Sequence, residues 1–239
     1  TVKVFVNLDE ILAQVDRVAA SFAVPTGFYL GKLQDGLVLD PLTGYSRRLV
    51  SFFASHPTAR LVILTKATDV SNLLELDHNG HTILSWSLSP TEAWRQFEAR
   101  TPSPSARIDA MRRCAAAGYP VRAVLMPIIP TPDWRWHYDA LLGELLAAVP
   151  LDRITLGGIC SFPNALRLTA ARLGPDNPIV AALDRERSSD GRARYPASQR
   201  IELYHHLITT IRRCRPSLPI GLCLEERSVF EALGMAAAI

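Results

Sequence analysis

The sequence predicts an α/β fold: a partial parallel (β/α) barrel of about six strands, with helices on its outer face. Three observations lead there. Strand-like and helix-like segments alternate along the 239 residues. The clearest strand, RLVILTK (60–66), is a continuous apolar run, as expected of a strand covered on both faces. The connections are short, which for parallel strands makes the helices crossovers packed on the sheet. An open doubly wound sheet meets the same conditions, and in both architectures ligands bind at the carboxyl ends of the strands.

Taken in order, VKVFVN (2–7) reads as a strand. Asn7 then caps a helix through about Ser21, with Glu10 three residues on as in a capping box. TGFYLGK (26–32) is a strand and SRRLVSFFA (46–54) an amphipathic helix. After 60–66 a short helix leads to the turn-forming Asn79-Gly80, and HTILSWSLS (81–89) follows as a strand. SARIDAMRRCAAAG (105–118) is a helix that Gly118 stops. PVRAVLMPII (120–129) is a strand, and DWRWHYDALLGELLAAV (133–149) a helix with Asp133 as its cap. RITLGGICSF (153–162) and a helix near Asn164–Leu173 form one more unit. Residues 184–198 are charged and poor in apolar side chains, which predicts an exposed loop. Helix 199–214, strand 219–224 and helix 227–234 close a single barrel-like domain spanning 1–239.

With 48% hydrophobic residues the chain can bury a substantial core. It contains no run of about 18 uncharged apolar residues, which argues against a membrane span. TVKVFVN lacks the basic-then-apolar pattern of a signal peptide, so a soluble cytoplasmic protein is expected. Cys114, Cys160, Cys214 and Cys223 are far apart, without metal-ligand spacing, and packing is their expected role. A net charge of +3 permits a nucleic-acid partner without implying one.

The predicted strand ends collect Gly31, Lys32 and Asp35, then Thr65 and Lys66, then Ser87 and Ser89, then Pro127. Only Lys3, Lys32 and Lys66 among the 26 basic residues are lysines, and two of them fall at these ends. An ammonium on a flexible stem suits a carboxylate or phosphate, and arginine is not its equivalent. His78 and His81 beside Asp77 read as turn residues rather than a metal site. Side by side on a helix, His205 and His206 point in different directions. Trp134, Arg135, Trp136 and Tyr138 could form a base-stacking platform, although helical spacing favours core. Gly157-Gly158 could let a backbone approach a ligand.

Several segments, in this order, resemble the spore photoproduct lyase family of radical S-adenosylmethionine proteins: VFVNLDEI (4–11), DPLTGYSRRLVSFF (40–53), LTKATDVSNLLELDHNGHT (64–82), SWSLSP (85–90), RIDAMRRCAAAGYPV (107–121) and LCLE (222–225). The tail is more similar to the photolyase-like branch. The resemblance implies a partial parallel barrel, S-adenosylmethionine, a 4Fe–4S cluster held by a C-x3-C-x2-C loop, and a 5′-deoxyadenosyl radical used in DNA repair. It implies that Lys66 and Ser87 bind the amino-acid moiety of the cosubstrate, where an ammonium can pair with its carboxylate. Gln34 and Asp35 fall beside that site, and DNA or a nucleotide is the implied substrate.

Two departures accompany the resemblance. The cluster loop is absent from this sequence, which suggests the C-terminal part of a longer radical enzyme. At GKLQD (31–35), Lys32 stands where the lyase has its hydrogen-donating cysteine and the photolyase-like branch a glutamate, and Gln34 replaces a serine. The alternative is a catalytically silent barrel that retains a pocket for a nucleotide or nucleic acid.

Overall fold

The computed structural model describes residues 4–31, 34–98, 100–183, 188 and 190–236. Its centre is a sheet of six parallel strands. In sheet order these are β1 (Thr26–Leu30), β2 (Ala59–Thr65), β3 (Thr82–Ser87), β4 (Val121–Ile128), β5 (Arg153–Gly158) and, past the small antiparallel pair of β6 (Cys160–Ser161) and β7 (Ala193–Arg194), β8 (Ile220–Leu222). The helices are α1 (Leu8–Ala19), α2 (Asp40–Thr43), α3 (Tyr45–Ser55), α4 (Thr91–Phe97), α5 (Pro104–Ala116), α6 (Trp134–Ala148), α7 (Pro163–Leu173), α8 (Pro178–Ala181), α9 (Ala197–Cys214) and α10 (Arg227–Ala232). Consecutive strands in the order β1 to β5 are sheet neighbours, so the sheet grows in one direction and curls into a half-barrel.

Burial follows the pleat. Leu61, Ile63, Leu84, Trp86, Ala123, Leu125, Ile154 and Leu156 point to the helical side, all at most 3% exposed. Val50 and Phe53 of α3, Met111 and Cys114 of α5, Leu142 and Leu145 of α6 and Leu207 and Ile211 of α9 meet them in one contiguous core. Each Val, Leu, Ile, Phe or Met side chain among them contributes roughly 1.5–3 kcal/mol by leaving water, so this layer holds the strand ends in place. No described helix is long and apolar enough to cross a membrane.

Several expectations change. Residues 4–7 of the expected first strand are not in a strand, and Val4, Phe5 and Val6 are exposed. Apolar alternation alone did not supply a ladder partner there; the segment is tied instead by the Tyr45 hydroxyl, which donates to Phe5 O. Helix α1 does begin after Asn7, but the Asn7 amide donates to the Glu10 carboxylate and its side chain caps no backbone N–H. Turns rather than a helix occupy residues 71–75. Asp133 has a positive φ of 56° and makes no side-chain cap. Part of 184–198 is core: Ala193, Arg194 and Tyr195 are buried, whereas 184–187 and 189 lie outside the described residues.

The aromatic platform is not one surface. Tyr138 is buried and accepts a hydrogen bond from Ile129 N, Arg135 lies over Trp134 and pairs with Glu202, and Trp136 is exposed. His78 is a core histidine stacked on Tyr119, with Nε2 donating to Ala117 O and Nδ1 accepting from Gly80 N. His206 reaches Asp139, which also accepts from Thr210.

Candidate functional site

The loop after β1 folds back onto the end of β2, and two glycines make that possible. Gly31 has φ +91°, and a Cβ there would stand 2.2 Å from Leu64 O. A Cβ on Gly36 would meet Ile63 Cγ2 at 2.7 Å, and Gly36 N donates to Leu64 O at 3.0 Å. The loop thereby delivers Asp35 to the β2 terminus.

Asp35 works on the backbone. Its Oδ1 accepts from Thr65 Oγ1 (2.6 Å), Leu37 N (2.9 Å) and Val38 N (3.0 Å), and its Oδ2 accepts from Lys66 N (2.6 Å). One carboxylate so joins the loop after β1 to the loop after β2. Ala67 completes the clamp on Lys66: its N–H donates to Thr65 Oγ1 (2.9 Å) and its carbonyl accepts from the buried Trp86 indole (2.9 Å). Lys66 is thus held by its neighbours at the backbone while its side chain remains 35% exposed.

A second network lies behind β3. Arg107 of α5 is fully buried, and its guanidinium donates to Ser87 O (2.8 Å), Pro102 O (2.9 Å), Thr101 Oγ1 (2.6 Å) and Glu98 Oε2 (3.1 Å). Burial holds the Arg107 pKa below its usual value, a shift that the Glu98 carboxylate opposes only in part. Glu98 Oε1 accepts from Ser89 Oγ (2.8 Å), and Lys66 Nζ lies 4.0 Å from Glu98 Oε2.

Between the two networks opens a cleft of about 660 Å³ at the carboxyl ends of β1, β2 and β3. That is within the ~300–1,000 Å³ range of small-molecule sites. Gln34, Asp35, Lys66 and Ser87 all line it, together with Asp69 and Arg100 at its edge. Four of the five expected site residues are therefore brought together; the fifth, Lys32, lies outside the described residues. Asp35 differs from the others, since its oxygens are engaged by the protein itself.

Sequence reasoning missed Glu98 and Arg107. For Arg107 a signal existed: it occupies the same helical stripe as Met111 and Cys114, where an apolar side chain is expected, and a charge on that stripe needs a buried partner. Helix α4, which carries the chain to Glu98, also went unread; at seven residues it is too short for periodicity to declare itself.

The spore photoproduct lyase family profile matches residues 1–156, which include every cleft residue named above. The chain belongs to the spore photoproduct lyase family. It is 32% identical over 152 residues to the spore photoproduct lyase of Bacillus subtilis (strain 168), an alignment covering 63% of this chain and 44% of that protein. The corresponding protein of Geobacillus sp. (strain Y412MC61) is 33% identical over 158 residues, covering 64% and 46%. The chain thus spans less than half the length of these curated relatives. Among solved structures, spore photoproduct lyase complexed with dinucleoside spore photoproduct superposes with a TM-score of 0.82 at 25% identity, covering 92% of this chain and 68% of that one. A doubly substituted variant with bound AdoMet and dinucleoside spore photoproduct gives 0.81 at 26% identity, covering 91% and 67%. The curled sheet of six parallel strands is the radical S-adenosylmethionine fold of this family.

The cysteines do not make a cluster site. Cys114 lies in α5, Cys160 in β6, Cys214 at the end of α9 and Cys223 just past β8. Burial pushes the Cys114 thiol up to about 12, the opposite of what a thiolate ligand needs. Among the described residues no group of three or more His, Cys, Asp or Glu side chains could hold a metal ion.

Proposed function

We propose that this chain forms the S-adenosylmethionine-binding half-barrel of a radical S-adenosylmethionine, lyase-like enzyme acting on DNA or a nucleotide, with the cluster thiolates supplied from outside the residues described. The observation that carries this is the joint placement of the Lys66 ammonium and the Ser87 hydroxyl on one cleft at adjacent strand ends. The residues fit the amino-acid end of the cosubstrate. Among the described residues Lys66 Nζ has no hydrogen-bond partner, and its ion-pair partner Glu98 lies 4.0 Å away, so its donors can meet a carboxylate. Ser87 adds a hydroxyl on a carbonyl frame that Arg107 fixes.

The bound cosubstrate, together with a cluster, supplies hydrogen-atom abstraction. This chain's own residues bind and orient. Lys66 and Ser87 hold the amino-acid moiety, Asp35 sets the Lys66 backbone, and Gln34 faces the same space. Lys32 follows Gly31 in the position where a thiol or an acid is expected, so a direct hydrogen-atom transfer from that side chain is chemically closed to it.

Calorimetric titration with S-adenosylmethionine tests the assignment. Lys66→Ala removes a charge-assisted contact worth about 1.5–3 kcal/mol, so its affinity should fall by roughly tenfold or more. Unchanged affinity would remove Lys66 from the site. The four separate cysteine positions favour a second reading, a silent barrel that binds a nucleotide or nucleic acid without radical chemistry. Intact mass and iron content of the protein from its native host separate the two: about four irons support the enzyme, none supports the silent barrel.

A further inference from the structure

We propose that Glu98, in the network behind the cleft wall, is a positioning and specificity-determining residue: it holds the Lys66 ammonium that lines the cleft and selects a singly charged carboxylate over a phosphate. The proposal rests on the assignment of Lys66 to a ligand carboxylate.

Glu98 is fixed before any ligand arrives. Ser89 Oγ donates to one of its oxygens at 2.8 Å and Arg107 Nη2 to the other at 3.1 Å. Arg107 is itself immobilised by Ser87 O, Pro102 O and Thr101 Oγ1 and has no exposed surface. Glu98 therefore cannot swing aside when a ligand enters. Lys66 Nζ stands 4.0 Å from it, close enough for attraction but beyond a hydrogen bond. The ammonium is oriented while its donors stay available.

The charges then decide what binds. Around Lys66 the described charges are the cations Arg107 and Arg100 and the carboxylates Glu98, Asp35 and Asp69, so with Lys66 included they balance and no surplus cation remains. An oxygen bound by Lys66 lies at most about 7 Å from Glu98, the sum of a ~2.8 Å hydrogen bond and the ion-pair distance. At that range, in a half-buried site, repulsion is felt and grows in proportion to ligand charge. A carboxylate brings one charge to the Lys66 ammonium; a phosphate brings a second, for which the described residues hold no surplus cation and which Glu98 repels.

A purely structural Glu98, present only so that Arg107 can be buried, would leave ligand selectivity unmoved, and this distinguishes the two roles. Calorimetry on the full chain would use S-adenosylmethionine, 5′-methylthioadenosine, which lacks the amino-acid group, and ADP, whose terminal phosphate reaches nearly as far from the ribose. For the wild type, S-adenosylmethionine should bind about tenfold tighter than methylthioadenosine, and ADP no tighter than it. Glu98→Gln keeps an acceptor for Arg107 and should raise ADP affinity relative to methylthioadenosine by about tenfold. Glu98→Asp keeps the charge and should keep the wild-type order.

An ADP-to-methylthioadenosine ratio unmoved in Glu98→Gln, or an order lost equally in Glu98→Asp, overturns the proposal. Should Glu98→Gln fail to melt cooperatively, the wild type decides, because ADP binding tighter than methylthioadenosine contradicts the charge filter. A wild type that does not prefer S-adenosylmethionine to methylthioadenosine defeats the Lys66 assignment and this inference with it. A preserved preference with an unmoved ADP ratio strikes Glu98 alone.

Discussion

Asp35→Asn replaces one oxygen by an amide and leaves the shape of the side chain unchanged. If the amide oxygen keeps the Oδ1 position, it still accepts from Thr65, Leu37 and Val38. The amide nitrogen then faces Lys66 N across the 2.6 Å now spanned by a hydrogen bond, setting donor against donor. Flipping the amide only transfers the conflict to three donors. The loss is one charge-assisted hydrogen bond, about 1.5–3 kcal/mol, with the three others weakened by the missing charge. Because Asp35 is only partly buried, we take about 2–4 kcal/mol for the whole change. For a chain of this length 1 kcal/mol moves the melting point by roughly 2–4 °C, so a fall of at least about 4 °C is expected. Urea unfolding should show a lower midpoint with an unchanged slope. Gln34→Ala, one residue away at the exposed cleft wall, should stay within about 0.5 kcal/mol of wild type. Should Asp35→Asn melt within 1 °C of wild type, the clasp between the two loops does not exist as described.

Two further outcomes follow from the buried groups. Arg107→Met removes the guanidinium that holds Ser87 O, Pro102 O, Thr101 and Glu98 and strands a carboxylate; a loss of about 3–5 kcal/mol is expected by urea denaturation, and a loss under 1 kcal/mol would contradict the network. Stability should also fall at alkaline pH. Burial raises the Cys114 thiol from 9.0 to about 12 and raises the hydroxyl pKa values of Tyr119, Tyr138, Tyr195 and Tyr204. Between the unfolded and folded values the native state keeps protons that the unfolded chain has released, so stability is complete below about pH 9 and declines from there toward 12. A flat unfolding midpoint from pH 8 to 10.5 would refute it, and Cys114 should resist thiol reagents at pH 8 until the protein unfolds.

Much of this architecture was readable from the residues, and the failures have physical reasons. RLVILTK announced itself because a strand covered on both faces cannot alternate, and β2 is that strand. Residues 4–7 carried an apolar signal too, but a strand also requires a ladder partner, which no local pattern reveals. Asn7 and Asp133 stand at helix starts as expected, yet the capping bonds depend on backbone angles that composition does not determine. In the cleft, Lys66 and Ser87 stand at the strand ends that the pattern marked, and Gln34 comes from the loop after β1. Asp35 lines the same cleft, but its task was not foreseen, since four hydrogen bonds to neighbouring segments are a property of the fold. Glu98 became visible only through Arg107, a charge on an apolar stripe whose partner is nine residues earlier in the chain.

The clasp at the end of β2 uses Gly31, Asp35 and Gly36. Scaffold duty thus falls on two glycines and one carboxylate within six positions, and together they keep the Lys66 anchor in register. A protein engineer who keeps those three residues keeps the Lys66 anchor, whatever is changed at Gln34 on the cleft wall.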